Sequence, residues 1–157
     1  MKEKENFMRE AIRLSIDSMR AGNGGPFGAV VVKDGEIIAR GFNKVTSTND
    51  PTAHAEVVAI REACKVLNSF QLSGCEIYTS CEPCPMCLGA IYWARLGKMY
   101  FANTKSDAEA IGFDDQFIYK EIELKINDRY LPTTQLLHEE ALVAFKEWQQ
   151  KTDKIEY

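Results

Sequence analysis

Residues 75–103, with the sequence CEIYTSCEPCPMCLGAIYWARLGKMYFAN, decide the fold. The apolar and β-branched run Cys75–Thr79 predicts a strand, and the prolines at 83 and 85 predict the start of a helix that ends near Gly97. A second strand is predicted over Met99–Ala102. A strand, a helix and a strand in this order place the two strands parallel in one sheet, with the helix on its face.

The first half of the chain supplies the other elements of an α/β fold. Apolar residues at helical spacing predict a helix from about Glu5 to Ala21, which the Gly-rich run 22–26 ends. Two strands, Phe27–Val32 and Glu36–Asn43, flank Asp34-Gly35, a typical two-residue hairpin turn. An acidic N-cap followed by proline at 50–51 predicts the start of a helix that reaches about Leu67. Helical segments are also predicted over Ser106–Ile111, Asp114–Tyr119 and Glu139–Gln150.

Composition indicates one soluble globular domain over residues 1–157. Apolar residues make up 45% and charged residues 27%, and the net charge of −4 disfavours binding to a nucleic-acid backbone. The N-terminus lacks the apolar region of a secretory signal, so we expect a cytoplasmic protein. The most apolar stretch, Cys87–Ala94, is too short to span a membrane, which takes about 20 residues.

Three residues at the starts of two predicted helices are candidate metal ligands. His54 lies at one helix start, and Cys84 and Cys87 lie three residues apart at the other. Three nitrogen or sulfur ligands with a fourth position open are typical of catalytic zinc. Glu56 is the candidate catalytic residue, because a zinc-activated water needs a carboxylate that moves protons. An H-x-E segment paired with P-C-x-x-C is the signature of zinc-dependent base deaminases.

Because Cys81 lies three residues before Cys84, other interpretations of this cluster stay open. With Cys81 as a fourth ligand the site would be a closed structural zinc site, although Glu56 would then have no role. An iron–sulfur cluster is disfavoured because no cysteine follows Cys87. Redox chemistry at Cys81 and Cys84 fits the C-x-x-C spacing but not the H-x-E segment. The remaining cysteines, Cys64 and Cys75, are predicted to be small buried residues.

Five segments distributed along the chain carry a family resemblance: GGPFGAV at 24–30, NDPTAHAE at 49–56, TSCEPCPMCLGAIYWA at 79–94, GFDD at 112–115 and EY at 156–157. With these segments nearly the whole chain resembles the bacterial guanine deaminases of the cytidine and deoxycytidylate deaminase superfamily. The metal motifs identify the superfamily, and the segment 112–115 with the C-terminal residues points to guanine.

This resemblance implies a three-layer αβα fold with a mixed five-stranded sheet. It also implies the hydrolysis of guanine to xanthine and ammonia, a reaction of purine catabolism and salvage. One Zn²⁺ per subunit would have water or hydroxide as its fourth ligand, and Glu56 would protonate N3 of the purine while C2 is attacked.

The resemblance further implies which residues bind the purine base. Asn43 would hydrogen-bond the base, and Phe27 and Trp93 would form apolar walls for its ring. Asp115, or Asp114 in its place, would accept hydrogen bonds from the N–H groups of guanine. The resemblance also implies a homodimer in which the C-terminal helix and tail, residues 140–157, are exchanged between subunits, so that Tyr157 closes the partner's pocket.

Related activities compete with this interpretation. A tRNA adenosine deaminase would share the metal motifs, but it must bind RNA through basic residues, and the net charge of −4 disfavours that partner. Guanosine and cytosine deaminases use the same chemistry on the same scaffold. A zinc module without catalytic activity is a further alternative, which replacement of Glu56 would distinguish from an enzyme.

Overall fold

The computed structural model describes residues 2–157. The chain divides into two compact units, of which the first ends at Gln116 and the second covers Phe117–Tyr157. In chain order the elements are α1 (Lys2–Arg20), β1 (Gly28–Lys33), β2 (Glu36–Phe42), α2 (Val45–Thr48), α3 (Ala55–Leu67), β3 (Cys75–Cys81), α4 (Pro85–Trp93), β4 (Lys98–Asn103), α5 (Lys105–Ala110), α6 (Asp115–Glu123), a 3-10 turn (Ile126–Asp128) and α7 (His138–Gln150).

The first unit is built on a mixed sheet with the strand order β2-β1-β3-β4. The strands β1 and β2 form the predicted antiparallel hairpin, in which Asp34 and Gly35 both adopt positive φ, as a tight hairpin turn requires. The strands β3 and β4 are parallel and joined through α4. The strand–helix–strand unit predicted from residues 75–103 is therefore confirmed.

Helices cover both faces of this sheet. Alternation along β1 directs Val30 and Val32 toward α1, where Tyr78 of β3 joins them, while Ala29 and Val31 belong to the core against α3 and α4. The predicted three-layer αβα arrangement is thus present in the first unit.

Small residues allow the helices to lie close to the sheet. A Cβ atom on Gly41 of β2 would lie 2.2 Å from the carbonyl oxygen of Ala55, the first residue of α3. A Cβ atom on Gly28 would meet the carbonyl oxygen of Ala11 in α1 at the same distance, 2.2 Å. Glycine at these positions lets the backbones touch, and at Gly41 this contact sets the height of the α3 N-terminus above the sheet.

The prediction that a helix starts at residues 50–51 is wrong, because α3 begins at Ala55. The Asp50 carboxylate accepts hydrogen bonds from the backbone N–H of Thr52 at 2.8 Å and from its hydroxyl at 2.6 Å. These bonds close a tight turn instead of starting a helix. His54 then adopts an extended conformation, with φ −69° and ψ 155°, as the N-cap of α3.

The expectation of a five-stranded sheet is also wrong, because the described residues form four strands. Directly after β4, Thr104 begins α5 with a capping box: its side chain accepts from the backbone N–H of Asp107, and Asp107 accepts from that of Thr104. The chain then continues through α6, the 3-10 turn and α7 without another strand between residues 104 and 157. The capping box at Thr104 thus starts a helix at the position where the chain could have continued into a fifth strand.

The second unit contains the 3-10 turn, α7 and most of α6. Its Phe117 and Tyr130 rings pack edge to face with centroids 5.9 Å apart. Many of its large apolar side chains are nevertheless exposed, including Leu131, Phe145 and Ile155. Throughout residues 2–157, no helix has the length and apolar character needed to cross a membrane.

Candidate metal centre and active-site cavity

Two helix N-termini bring the three predicted metal ligands together. His54 is the N-cap of α3, Cys84 is the N-cap of α4, and Cys87 lies in the first turn of α4. The Nδ1 atom of His54 lies 3.6 Å from the Cys84 Sγ and 3.5 Å from the Cys87 Sγ. Within the described chain, these residues are the one group of three or more potential ligands placed to hold a metal ion.

The spacing of these atoms fits tetrahedral zinc. Zinc binds sulfur at ~2.3 Å and nitrogen at ~2.0–2.1 Å, so tetrahedral angles separate the two ligand atoms by about 3.6 Å. The Nδ1–Sγ distances of 3.5 and 3.6 Å agree with that value. One nitrogen and two sulfurs leave the fourth tetrahedral position for another ligand, which is the arrangement of catalytic zinc sites.

The two thiols differ in acidity. The pKa of Cys84 is lowered to about 4, chiefly because the Cys87 thiol donates a hydrogen bond to it and also because His54 lies beside it. The same hydrogen bond, together with burial, raises the pKa of Cys87. The Cys84 side chain therefore favours the thiolate form, which is the form that binds a metal.

Glu56 lies beside the three ligands without being one of them. It is 5% exposed, and its Oε2 lies 3.3 Å from the Cys87 Sγ. His54 and Glu56 face the same site although they are two residues apart, because His54 stands outside the helical geometry. Burial raises the pKa of the Glu56 carboxyl, which suits a group that both accepts and delivers protons.

A cavity of about 240 Å³ opens in front of this cluster. That volume is below the ~300–1,000 Å³ typical of pockets for drug-sized ligands, which favours a smaller ligand. The lining side chains and backbone belong to Gly25, Phe27, Asn43, Val45, Thr46, His54, Glu56, Glu82, Cys84, Phe113 and Asp115.

Asn43 presents a hydrogen-bond donor to the cavity. Its Oδ1 accepts from the backbone N–H of Gly25 at 3.3 Å and from that of Val45 at 3.1 Å. The side-chain NH₂ is therefore the group left to meet a ligand, and it selects for an acceptor atom. Gly24 makes this arrangement possible, because a Cβ atom there would lie 2.3 Å from Oδ1.

The sequence model of the cytidine and deoxycytidylate deaminase zinc-binding region matches residues 1–103. The chain belongs to this deaminase family. Guanine deaminase of Bacillus subtilis (strain 168) is 56% identical over 98% of both chains, and its X-ray structure superposes with a TM-score of 0.95 over 98% of both. The tRNA-specific adenosine deaminase of Aquifex aeolicus (strain VF5) is 46% identical over 63% of this chain and 65% of its own. Guanine deaminase from Nitrosomonas europaea has a TM-score of 0.67 and 37% identity, covering 69% of this chain and 63% of its own.

In this deaminase, an aromatic pair forms the apolar side of the cavity. The Phe27 and Phe113 rings meet edge to face, with centroids 4.8 Å apart and planes at 88°. Both line the cavity. Phe27 is one of the predicted walls, whereas Phe113, which lies in the segment 112–115, is not among the predicted contacts. Its neighbour two residues on, Asp115, also lines the cavity, and burial, followed by the Cys84 thiolate, raises the pKa of that carboxyl.

Three other predicted substrate contacts are not among the lining residues. Trp93, at the end of α4, is 63% exposed, with the Arg95 guanidinium 5.8 Å from its ring centroid. Asp114 precedes the lining carboxylate Asp115 but does not itself line the cavity. Tyr157 belongs to the second unit of the deaminase and is 69% exposed. Roles for these three residues remain predictions.

Cys81 is not part of the metal cluster. Its thiol points to the backbone carbonyl of Thr104 at 3.6 Å, and burial raises its pKa to about 11. A protonated, buried thiol outside the triad does not support the alternative of a closed structural site with four ligands.

Sequence reasoning missed two polar residues of the site. Glu82 lines the cavity, and its Oε2 accepts from the backbone N–H of Lys105 at 3.0 Å, which ties the loop after β3 to the start of α5. Thr79 lies behind the cavity, with its hydroxyl 3.2 Å from the Glu56 Oε1. A threonine in a β-branched strand carries no signal of its own, so only the tertiary contact reveals it.

Proposed function

We propose that this zinc-dependent deaminase hydrolyses guanine to xanthine and ammonia. The observation that carries the proposal is the extent of similarity: 56% identity to a guanine deaminase continues over 98% of the chain. The aligned region therefore spans position 115 and the second unit. Similarity to the tRNA-specific enzyme from Aquifex aeolicus covers 63% of the chain.

His54, Cys84 and Cys87 would hold the zinc ion. A zinc ion bound by three protein ligands lowers the pKa of a water molecule to about 7 and so supplies a nucleophile at neutral pH. The family and the fit of the Nδ1–Sγ distances to tetrahedral zinc support this assignment.

Glu56 would move the protons of the reaction. It takes up the proton that water loses and delivers it to N3 of guanine as the new C–O bond forms at C2. It then carries the remaining hydroxyl proton to the amino group, which leaves as ammonia while the C2 carbonyl of xanthine forms. Its burial and its contact with the metal ligand Cys87 support this role.

The cavity offers groups that match the polar edge of guanine. The Asn43 NH₂ would donate to a ring acceptor, and the Asp115 carboxylate would accept from ring N–H groups. Asp115 is favoured over Asp114 because it lines the cavity. Phe27 would pack against the ring, and a wall at Trp93 stays a prediction.

We further propose that residues 1–157 form one deaminase domain, which assembles into a homodimer with 140–157 exchanged between subunits. The exposed apolar side chains of the second unit support this proposal, since surfaces of this kind are typical of interaction sites. In such a dimer Tyr157 would close the partner's cavity.

We also place the enzyme in the cytoplasm, in purine metabolism, because a reducing compartment keeps its two ligand thiols able to bind zinc.

Ammonia release by the zinc-loaded protein tests the activity. The substrates are guanine, guanosine, cytosine, adenine and a tRNA anticodon stem-loop, and Glu56→Ala is assayed beside the wild type with its zinc content measured. We expect turnover of guanine, lost in a variant that keeps zinc. Deamination of the RNA without activity on guanine would contradict the proposal and favour the tRNA-specific reaction.

Mixed dimers test the exchange. Glu56→Ala and Tyr157→Ala protomers are each expected to have low activity when they assemble alone. If Tyr157 acts in the partner's cavity, a mixed dimer contains one cavity with both intact residues. Co-refolding equal amounts of the two variants makes about half of the dimers mixed, so about a quarter of the wild-type activity should return. A protein that sediments as a monomer, or mixtures without recovery, would rule out the exchange.

A further inference from the structure

Thr79 is a polar residue in an otherwise apolar part of the core. It lies near the end of β3 and is 1% exposed. Two residues earlier on the same face of the strand, Ile77 packs in the apolar cluster under α3, and Ala29 stands opposite Thr79 on β1. Valine has nearly the same shape, so packing alone does not require a hydroxyl here.

The Thr79 hydroxyl contacts the proposed proton-transfer residue. Its Oγ1 lies 3.2 Å from the Glu56 Oε1 and 2.8 Å from the backbone carbonyl oxygen of Cys81. The hydroxyl has one proton and two acceptors within reach. It therefore donates to one of them at a time, and donation to the Glu56 Oε1 gives that buried oxygen a hydrogen-bond partner.

This contact helps to orient the carboxylate, together with the hydrogen bond from the Cys87 thiol to its other oxygen. With Oε1 directed to Thr79 on β3, the other oxygen, Oε2, faces α4 and lies 3.3 Å from the ligand atom of Cys87. A glutamate side chain has three rotatable bonds, and its terminal torsion is broad, so packing of its stem alone would not select this orientation.

We infer that Thr79 is a positioning residue, which holds Glu56 with one oxygen turned to the metal ligands. The inference rests on the proposed function and extends it, since it assigns a role to a residue that belongs neither to the metal cluster nor to the lining of the cavity. Misplacing a catalytic group by about 1 Å can cost a factor of about 10² in rate, so loss of the hydroxyl should act on kcat.

The test compares Thr79→Val, which removes the hydroxyl and keeps the shape, with Thr79→Ser, which keeps the hydroxyl. In the valine variant we expect kcat to fall about 10- to 100-fold while KM changes less than about threefold, because the side chains proposed to bind the base, Asn43, Phe27 and Asp115, are unchanged. In the serine variant we expect kcat within about threefold of wild type. Zinc content and melting temperature are measured for each protein, and Thr79→Ala replaces the valine variant if the latter does not fold.

Crystal structures of the zinc-loaded variants provide a readout independent of turnover. We expect the Glu56 carboxylate to be turned away or split between conformers in Thr79→Val and in place in Thr79→Ser. An undisplaced carboxylate in Thr79→Val would overturn the inference, as would equal losses of kcat in both variants. A wild-type protein without activity on guanine would instead contradict the proposed function, and the two structures would still decide the role of Thr79.

Discussion

The Sγ atom of Cys84 and the Nδ1 atom of His54 lie 3.6 Å apart, although thirty positions separate the two residues in the chain. Each is the extended N-cap of a helix, with ψ of 168° and 155°. Neither side chain forms a capping hydrogen bond, so both are available to a metal ion. The helix starts thus provide ligands as well as the positive end of the helix dipole, which favours a thiolate.

Zinc removal is expected to abolish activity reversibly. A chelator should stop ammonia release, and added Zn²⁺ should restore it, because the nucleophile depends on the ion. Cys87→Ser should lower the zinc content measured by atomic absorption at least tenfold. Cys64→Ser is the matched control, since that thiol lies on α3 outside the metal cluster and its loss should leave one zinc per chain. A full complement of zinc in Cys87→Ser would contradict the assignment of the ligands.

Asn43→Asp is expected to impair substrate binding more than stability. Aspartate keeps an oxygen for the backbone N–H groups of Gly25 and Val45 but replaces the donor that faces the ligand with an acceptor. We expect KM for guanine to rise about 10- to 100-fold, because a lost hydrogen bond to a buried site costs about 1–3 kcal/mol. Steady-state kinetics and thermal melts measure the two effects. An unchanged KM would show that the Asn43 amide does not contact the base.

Gly41→Ala is expected to destabilise the protein by about 1–3 kcal/mol, because the added methyl group overpacks the contact with α3. The methyl would lie 2.2 Å from the Ala55 carbonyl oxygen, so α3 must move and carry His54 with it. Weaker zinc retention should follow. Gly89→Ala in α4 is the matched control: nothing lies within 4 Å of its added methyl, and alanine favours helix by about 0.5–1 kcal/mol. Urea denaturation measures the free energy of unfolding of both variants. Equal stability of the two would exclude the close contact between Gly41 and the Ala55 carbonyl.

Glu10 links α1 to the sheet in a pH-dependent way. Its carboxylate binds Arg13 at 2.9 Å and Arg40 of β2 at 2.7 Å, and these two guanidinium groups lower its pKa to about 2 from the usual 4.5. A carboxyl with a lowered pKa in the folded state contributes stability above pH 4.5 and loses it as the pH falls toward 2. Glu10→Gln should cost about 1 kcal/mol at pH 7.

The difference between wild type and Glu10→Gln should shrink as the pH decreases through that range, which urea denaturation at several pH values measures. Loss of zinc at low pH affects both proteins, so the comparison cancels it. A difference that stays constant from pH 7 to pH 3 would show that the ion pairs do not stabilise the folded state.

Local patterns were enough to predict the elements that carry the chemistry. The Asp34-Gly35 turn and the parallel strands around α4 depend on residues adjacent in sequence, and so does the pairing of Cys84 with Cys87. The predicted helix start at 50–51 was wrong by about four residues, and in the structure His54 is the N-cap of α3 rather than a residue inside it. The hydrogen bonds of Asp50 to Thr52 decide that start, and they compete directly with a helix.

The remaining features of the site depend on contacts between distant segments. Asn43 is oriented by the N–H of Gly25, eighteen positions away, and Thr79 reaches Glu56 across twenty-three positions. Phe113 lines the cavity and packs on Phe27, eighty-six positions away in the chain. The spacing of residues in the sequence does not predict these contacts. The fifth strand was inferred from resemblance alone, and the capping box at Thr104 directs the chain into a helix instead.

Because the ligands lie at the starts of α3 and α4, the metal geometry constrains the sequence at the helix starts but not at the helix ends. The far ends of α3 and α4, at Asn68 and Ala94, contribute nothing to the metal cluster. Residues 68–71 are partly or fully exposed. Homologous enzymes can therefore differ in length after Asn68 and still keep the same metal geometry. The same position is a suitable point for inserting a reporter peptide or a second domain into a working deaminase.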